Sequence, residues 1–447
     1  MDKITIGFEG ERDAIAPLTW AQWRTWQGSR LKYRSFVYVQ PLPQGKTLRE
    51  VGDAVKWAYE EFESLRTIFP ADADGEPYQR VSKKGLVDIL IVKSEESAIE
   101  TDIESITRQF RGERFDTTTD FGAVFAVVTS ADDPTHLICA ASHLAVDAHG
   151  LMALRRALDV YFSGEHVEPF TSQLQPIERA RLEQSEKGQQ KSARALAYWR
   201  EVLERFPRDG ETSRSAVMNS SALKAAAYVI SKNHRVSTSA VYLASVAIIA
   251  GTLIGRSRIS FLLPSSNRWT PEEQSFVGEL VQFSPGVMES LGGAFGDVVR
   301  DASQASIRGY MSSHYDERAL AGMLQDMDES RESRRAFDFT FNDLRGSTEP
   351  EDYSGLAGNL RDAMGQTQFE IREQLYRGQG RFLSVALDGA GAISIVIHDS
   401  HFEEMSARRI LLAIEDLVVG VAMGEAEPIE CPMDFAKNYL ERSGVTP

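Results

Sequence analysis

A chain of 447 residues is too long for one ordinary hydrophobic core and predicts two domains or lobes. Lys and Arg number 49 against 65 Asp and Glu, a formal charge of −16, so no nucleic-acid partner is expected, although a local basic patch facing an anionic partner stays open. The apolar fraction of 42% and charged fraction of 26% fit a soluble globular protein, and the two cysteines, Cys139 and Cys431, lie outside any Cys-x-x-Cys pair, which excludes a zinc ribbon or disulfide scaffold and makes a reducing cytoplasm the expected setting.

The N-terminal run MDKITIGFEGERD has no apolar stretch of the secretory kind, so no signal is expected there. Residues 47–62 place Leu48, Val51, Val55, Ala58 and Phe62 on one helical face. Residues 121–130 and 135–142 are short apolar runs that predict buried strands, joined by the turn ADDP. After Asp147 the period changes: Leu151, Leu154, Leu158 and Tyr161 recur at helical spacing, with Arg155, Arg156 and Asp159 on the other face. Residues 163–195 are polar and predict a long, partly helical surface connection. The longest apolar stretch, SAVYLASVAIIAGTLIG at 239–255, is short for a membrane span and predicts a buried core helix, so no membrane is expected as a partner. Strands near 258–263, 337–341, 382–387 and 392–397, a helix near 297–312 and a last helix over 403–422 complete the pattern. The expected domains are 1–170, a connection over 171–189, and 190–447.

Several familiar motifs fail. Gly45-Lys46-Thr47 resembles the end of a phosphate-binding loop, but Gln40 stands where the motif needs glycine. Leu291-Gly292-Gly293-Ala294-Phe295 lacks the serine of a carrier-protein attachment site, and no Gly-x-Ser-x-Gly elbow occurs. His398 and His401 form a His-x-x-His pair without acidic or cysteine partners, so a surface turn is the better reading and no metal is expected.

One constellation stands out. In THLICAASHLAVDAHGL, residues 135–151, a predicted buried strand ends at Ser142-His143 and an amphipathic helix begins after Asp147. On spacing alone this is weak: His-x-x-x-Asp arises by chance in roughly every second chain of this composition. Asp147 reads equally as a helix N-cap, and His143 as a satisfied core histidine.

Further blocks give that motif a context. Residues 19–26, TWAQWRTW, are similar to a Ser-x-Ala-Gln-x-Arg-Leu-Trp block, and 61–69, EFESLRTIF, to an Arg-His-Glu-x-Leu-Arg-Thr-x-Phe block. SHLAVDA at 142–148 falls where His-His-x-x-x-Asp-Gly is expected. RISFLLPSSNR follows the apolar helix, FVGELVQFSP at 276–285 matches a Val-Gly-x-Phe-Val-Asn block, and His314-Tyr315-Asp316 sits near the place of His-Gln-Asp. In this order and over essentially the whole chain, the blocks resemble the condensation-domain family of nonribosomal peptide synthetases, members of the chloramphenicol-acetyltransferase-like superfamily.

The resemblance implies an α/β fold of two acetyltransferase-like lobes in a V-shaped pseudo-dimer, with the active site in a central tunnel. His143 matches the family's catalytic histidine, Asp147 the aspartate that holds its loop, and Arg268 the arginine paired with that aspartate. Ser142, Ala148, His149 and Gly150 are expected to line the tunnel. Ser142 replaces a histidine and Ala148 a glycine of the family pattern, and the added methyl group would crowd an acceptor. The implied enzyme is a stand-alone acyltransferase of specialised-metabolite or antibiotic biosynthesis, joining an acyl or aminoacyl group to a small-molecule amine or alcohol. It binds no cofactor of its own. The donor is a phosphopantetheine thioester on an acyl or peptidyl carrier protein acting in trans, or alternatively a free acyl-CoA. A non-catalytic platform recruiting carriers or tailoring enzymes is a third reading. Carrier proteins are usually acidic, so docking is expected at basic clusters: Arg24, Arg30, Lys32 and Arg34, or Arg331, Arg334 and Arg335.

Overall fold

The computed structural model describes residues 2–28, 35–112, 115–164, 174–204, 214–329, 337–345, 359–372, 383–397 and 406–445. The chain divides into two compact units. The first comprises residues 1–193 with 266–282 and 315–320, and the second holds the rest. Neither unit is the unbroken span read from the sequence, because two later segments belong to the first unit and its N-terminal stretch runs on to residue 193.

In chain order the first unit holds β1 (Asp2–Glu9), β2 (Ala14–Pro17), α1 (Trp20–Gly28), β3 (Ser35–Pro41), α2 (Leu48–Glu61), β4 (Thr67–Ile68), β5 (Tyr78–Val81), β6 (Lys84–Ser94), α3 (Ile99–Gly112), β7 (Ala123–Ser130), β8 (Asp133–Ser142), α4 (Ala148–Ser163), α5 (Pro176–Gln184) and the start of α6 (Glu186–Leu203). Its main sheet has the order β1-β6-β7-β8-β3, and β2, β5 and β4 form a small second sheet. Successive strand residues face opposite sides. In β7 and β8, Phe125, Val127, Leu137, Cys139 and Ala141 pack in one core with α2 and α4, while Ala126, Val128, Ile138 and Ala140 pack with Ile106 and Phe110 of α3. A strand covered on both faces reads as a continuous apolar run, as 121–130 and 135–142 do. Thr47, in the failed phosphate-loop motif, instead caps α2: it accepts from the Glu50 N–H while Glu50 reaches back to the Thr47 N–H.

From residue 174 on, the predicted connection is helical, in keeping with the partly helical reading, but it makes buried contacts and is not wholly a surface segment. Ile177 and Ala180 of α5 pack against Ala16 and Val81, and buried Arg179 bonds Glu183 at 2.9 Å and Glu273 at 2.8 Å. Long polar side chains paired with one another carried the composition that suggested an exposed surface.

The second unit continues with β9 (Arg214–Asn219), α7 (Ser221–His234), α8 (Thr238–Leu253), β10 (Ile259–Ser265), β11 (Gln282–Met288), α10 (Phe295–Met311), β12 (Phe339–Asp343), β13 (Gln368–Arg372), β14 (Leu383–Leu387), β15 (Ile393–Ile397) and α13 (Ser406–Ala422). Short helices α12 (Leu360–Met364) and α14 (Ala426–Glu430), with α15 (Pro432–Arg442) and all but the start of α11 (Glu317–Glu329), complete it, while the short helix α9 (Pro271–Ser275) lies in the first unit. Its sheet runs β11-β10-β12-β14-β15-β9-β13. Apolar on all sides, α8 is buried almost throughout, as such a helix must be. No single helix among the described residues is long and apolar enough to cross a membrane. Helix α13 is not the last: α14 and α15 follow it, and Ala436 and Leu440 of α15 join the core.

Candidate functional site

The motif region sits where the sequence pattern puts it, at the end of a fully paired inner strand. Ser142 ends β8, and its carbonyl accepts the N–H groups of Ala145 and Val146 at 3.0 and 2.9 Å, turning the chain sharply. Asp147 then caps α4, its Oδ1 accepting the Gly150 N–H at 2.7 Å.

Both readings of Asp147 hold together. Its carboxylate is the N-cap and also meets Arg268: Nη1 donates to Oδ2 and Nη2 to Oδ1, each at 2.8 Å. The Leu280 N–H donates to Oδ2 at 2.8 Å. Two oxygens thus receive four hydrogen bonds. Burial works against the anion, but the Arg268 charge and these donors outweigh it and hold the carboxyl below the usual range. Arg268 donates further to the carbonyls of Ser266 at 3.0 Å and Gly278 at 3.0 Å. Asn267 precedes it in the left-handed region (φ 52°), a conformation Asn tolerates better than most residues, and is held by the Leu280 carbonyl at 3.1 Å.

Gly150 makes the close approach possible. A Cβ there would lie 2.7 Å from the Gly278 carbonyl oxygen and 2.8 Å from its nitrogen. Gly150 is therefore packed against backbone and Ser142 is completely buried, so neither is presented to an open channel as the sequence reading expected. Ala148 and His149, the first two residues of α4, are exposed.

His143 projects from the turn with 29% of its side chain exposed. Its ring lies 4.6 Å from that of Phe36, on the neighbouring strand β3. Its Nδ1 lies 2.7 Å from Oε2 of Glu279, a wholly buried carboxyl. The other oxygen, Oε1, accepts the Val281 N–H at 3.1 Å and lies 3.6 Å from Nη2 of Arg24. Arg24 also donates from Nε to the Val281 carbonyl at 3.1 Å. Burial disfavours the imidazolium, yet the facing Glu279 outweighs it and holds His143 above its ordinary range. Burial likewise pushes Glu279 up, against the pull of His143 and Arg24.

A third buried carboxyl, Glu317, accepts from Nε2 of Gln282 at 3.3 Å. Burial pushes it up to about 7, opposed by the charge of Arg24 and by hydrogen bonds. The same Nε2 donates to the Tyr315 carbonyl at 2.8 Å, and the Asp316 N–H donates to the Ser192 hydroxyl at 2.7 Å, so the segment resembling His-Gln-Asp is tied to Gln282 and to α6.

Sequence reasoning named His143, Asp147 and Arg268, and the structure joins the last two directly. It does not join Asp147 to His143: the carboxylate against the imidazole is Glu279, which was overlooked although a charge inside the otherwise uncharged FVGELVQF is an available signal. Of the basic docking clusters, Arg24 points into this network, while Arg30, Lys32, Arg34, Arg331, Arg334 and Arg335 lie outside the described residues, as do His398 and His401.

Comparison with known proteins matches this geometry to a family. The Condensation domain family model covers residues 12–418. Cyclosporin synthetase simA of Tolypocladium inflatum is 27% identical over 251 residues, 52% of this chain, which spans only 2% of that protein's length. Among solved structures, the condensation domain of the Monacolin K polyketide synthase MokA superposes with a TM-score of 0.69 at 14% identity, over 93% of this chain and 99% of that one. The X-domain from teicoplanin biosynthesis, solved in complex with OxyB, superposes with a TM-score of 0.66 at 14% identity, over 94% and 96%. At such identities the structural matches establish the fold, a mixed α/β architecture of the chloramphenicol-acetyltransferase-like kind.

Proposed function

We propose, starting from the fact that this chain belongs to the condensation-domain family, that it joins an acyl or aminoacyl group, carried as a phosphopantetheine thioester on a separate carrier protein, to a small-molecule amine or alcohol. The observation that carries this reading is the His143 imidazole. It stands at a strand end, partly exposed, with Nδ1 against the buried carboxyl of Glu279. A carboxylate there favours the tautomer protonated on Nδ1 and leaves the lone pair on Nε2. Nε2 takes the proton from the attacking N–H or O–H as the new bond to the acyl carbon forms. When the C–S bond breaks, the same proton passes to the departing thiolate. Amides at the start of α4 supply donors for the intermediate oxyanion. The Gly150 and Leu151 N–H groups are already taken by Asp147, which leaves those of Ala148 and His149.

The test is turnover of one acyl group presented on a carrier protein and on coenzyme A, with amine and alcohol acceptors and product detection by mass. Product from the carrier-bound donor supports the reading. Equal turnover from coenzyme A favours the acyl-CoA alternative.

A second reading has its own support. The Asp147–Arg268 clamp holds the loop whether or not chemistry occurs there, and the chain shares its fold with an X-domain solved in complex with OxyB. A platform that recruits carriers or tailoring enzymes would bind a carrier protein without product formation.

A further inference from the structure

Two carboxyls are buried beside the candidate catalytic loop, and their surroundings differ. Asp147 has every acceptor position occupied by Arg268, Gly150 and Leu280. It has nothing left to offer His143. Glu279 has a divided environment. Oε1 is fixed by the Val281 N–H and faces Arg24, whereas Oε2 is directed at Nδ1 of His143. A fully buried carboxylate is costly unless each oxygen meets a donor or a cation. Oε2 accepts no well-angled hydrogen bond, and the group that faces it is the imidazole, with Nδ1 at 2.7 Å.

From this geometry, and resting on the acyl-transfer reading above, we infer that Glu279 is a positioning residue for His143: it fixes the imidazole with Nδ1–H toward Oε2, makes Nε2 more basic, and directs that nitrogen at the nucleophile. The logic is that of a carboxylate–histidine pair, in which the acid orients the base and stabilises its protonated form without itself accepting the proton. The carboxylate of the sequence motif, Asp147, is spent on Arg268 and the α4 cap. Glu279 lies more than a hundred positions later, on the segment 266–282 that belongs to the same compact unit.

The charged and titratable groups around the pair define the test. Arg24 on α1 faces Glu279 at 3.6 Å and disfavours protonation of His143. The Asp147 charge reaches Glu279 but is neutralised locally by Arg268. Glu317 also feels the Arg24 charge. Removing the Glu279 charge should therefore lower the proton affinity of His143, since the remaining close charge is the cation.

The measurement is an NMR titration of imidazole resonances in the intact protein, with His143 among the chain's 8 histidines assigned by its disappearance in His143→Asn. In the parent protein His143 should titrate above the ordinary imidazole value of 6.5. In Glu279→Gln the titration should move to lower pH, and Glu279→Asp should retain part of the elevation. If acyl transfer is observed, the acid limb of kcat/KM should move the same way, with kcat at its plateau reduced at least ~10-fold in the Gln variant. A parent titration at or below 6.5, or one unmoved in Glu279→Gln, overturns the inference. The parent measurement alone decides if the Gln variant fails to fold. A moved titration in a protein that never transfers an acyl group supports the pairing and discards the acyl-transfer reading instead.

Discussion

Arg268 holds Asp147 with two parallel hydrogen bonds of 2.8 Å, and both side chains are nearly withdrawn from solvent, at 5% and 1% exposure. The pair ties the start of α4 to the segment 266–282, 121 residues further along the chain. Its energetic weight follows from the asymmetry of buried ion pairs. Creating one gains little over an apolar replacement, but removing one partner strands a charge where water does not reach.

Asp147→Ala and Arg268→Ala should therefore each cost ~3–5 kcal/mol of stability. The double variant should be clearly less destabilised than the sum of the two, because it strands neither charge. Chemical denaturation of the three variants and the parent measures this. Strictly additive losses would mean that the observed contact has no energetic coupling.

His143→Ala should lower kcat by about 10²–10⁴-fold if the imidazole moves the proton. It should not be silent in stability, because the change removes the ion-pair partner that faces the buried Oε2 of Glu279. His143→Gln, which can present an amide N–H near the same place, should lose as much activity with a smaller drop in Tm. Initial rates and thermal melts on both variants separate the two roles. An active His143→Ala protein would remove the catalytic assignment.

Residues with short-range signals were the ones the sequence made legible. The apolar runs of β7 and β8, the period change after Asp147 and the ordered family blocks located the turn that carries His143. The ladder of the inner strands and the all-round burial of α8 follow from the same patterns. Two kinds of feature were hidden. Helix α5 buries polar side chains in pairs such as Arg179 with Glu183 and Glu273, so its composition imitates an exposed surface connection. Glu279 and Arg24 are charged residues in separate blocks, and only the fold brings Arg24 against Glu279 and Glu279 against His143. Asp147 took its role from the family resemblance, as the aspartate that holds the loop, while its spacing alone suits a helix cap; its carboxylate is cap and clamp at once.

Gly150→Ala tests the close approach beneath the loop. The new methyl carbon would meet the Gly278 backbone at 2.7–2.8 Å, and backbone, unlike a flexible side-chain end, yields only by moving the segment that carries Glu279. Overpacking of this kind costs ~1–3 kcal/mol. Activity should fall further than stability alone explains, since the displaced segment holds the His143 partner. Ala148→Gly, at an exposed position one turn edge away, should change Tm little. Equal melts for Gly150→Ala and the parent would show that the approach is looser than the geometry indicates.

Glu317 gives stability a dependence on pH. It is the first residue of α11, where a helix terminus favours the anion, and Arg24 pulls the same way, yet burial prevails and pushes the carboxyl up to about 7 from 4.5. The folded-state value lies above the unfolded one, so the folded protein binds the proton more tightly. That contribution is fully present below pH 4.5 and disappears as pH rises through 7. Between pH 5 and pH 8 the parent should therefore lose stability from this group, on the order of 3 kcal/mol at most. His143 and Glu279 are raised as well and act in the same direction, so the parent's profile alone does not isolate Glu317. Glu317→Gln does: its amide oxygen can still accept from Gln282 and carries no proton to lose. The variant should match the parent near pH 5 and exceed it at pH 8, with the difference growing across neutral pH. A pH-independent gap between the two denaturation curves would mean that Glu317 ionises in the ordinary carboxylate range, and that solvent or Arg24 compensates its burial more fully than its surroundings suggest.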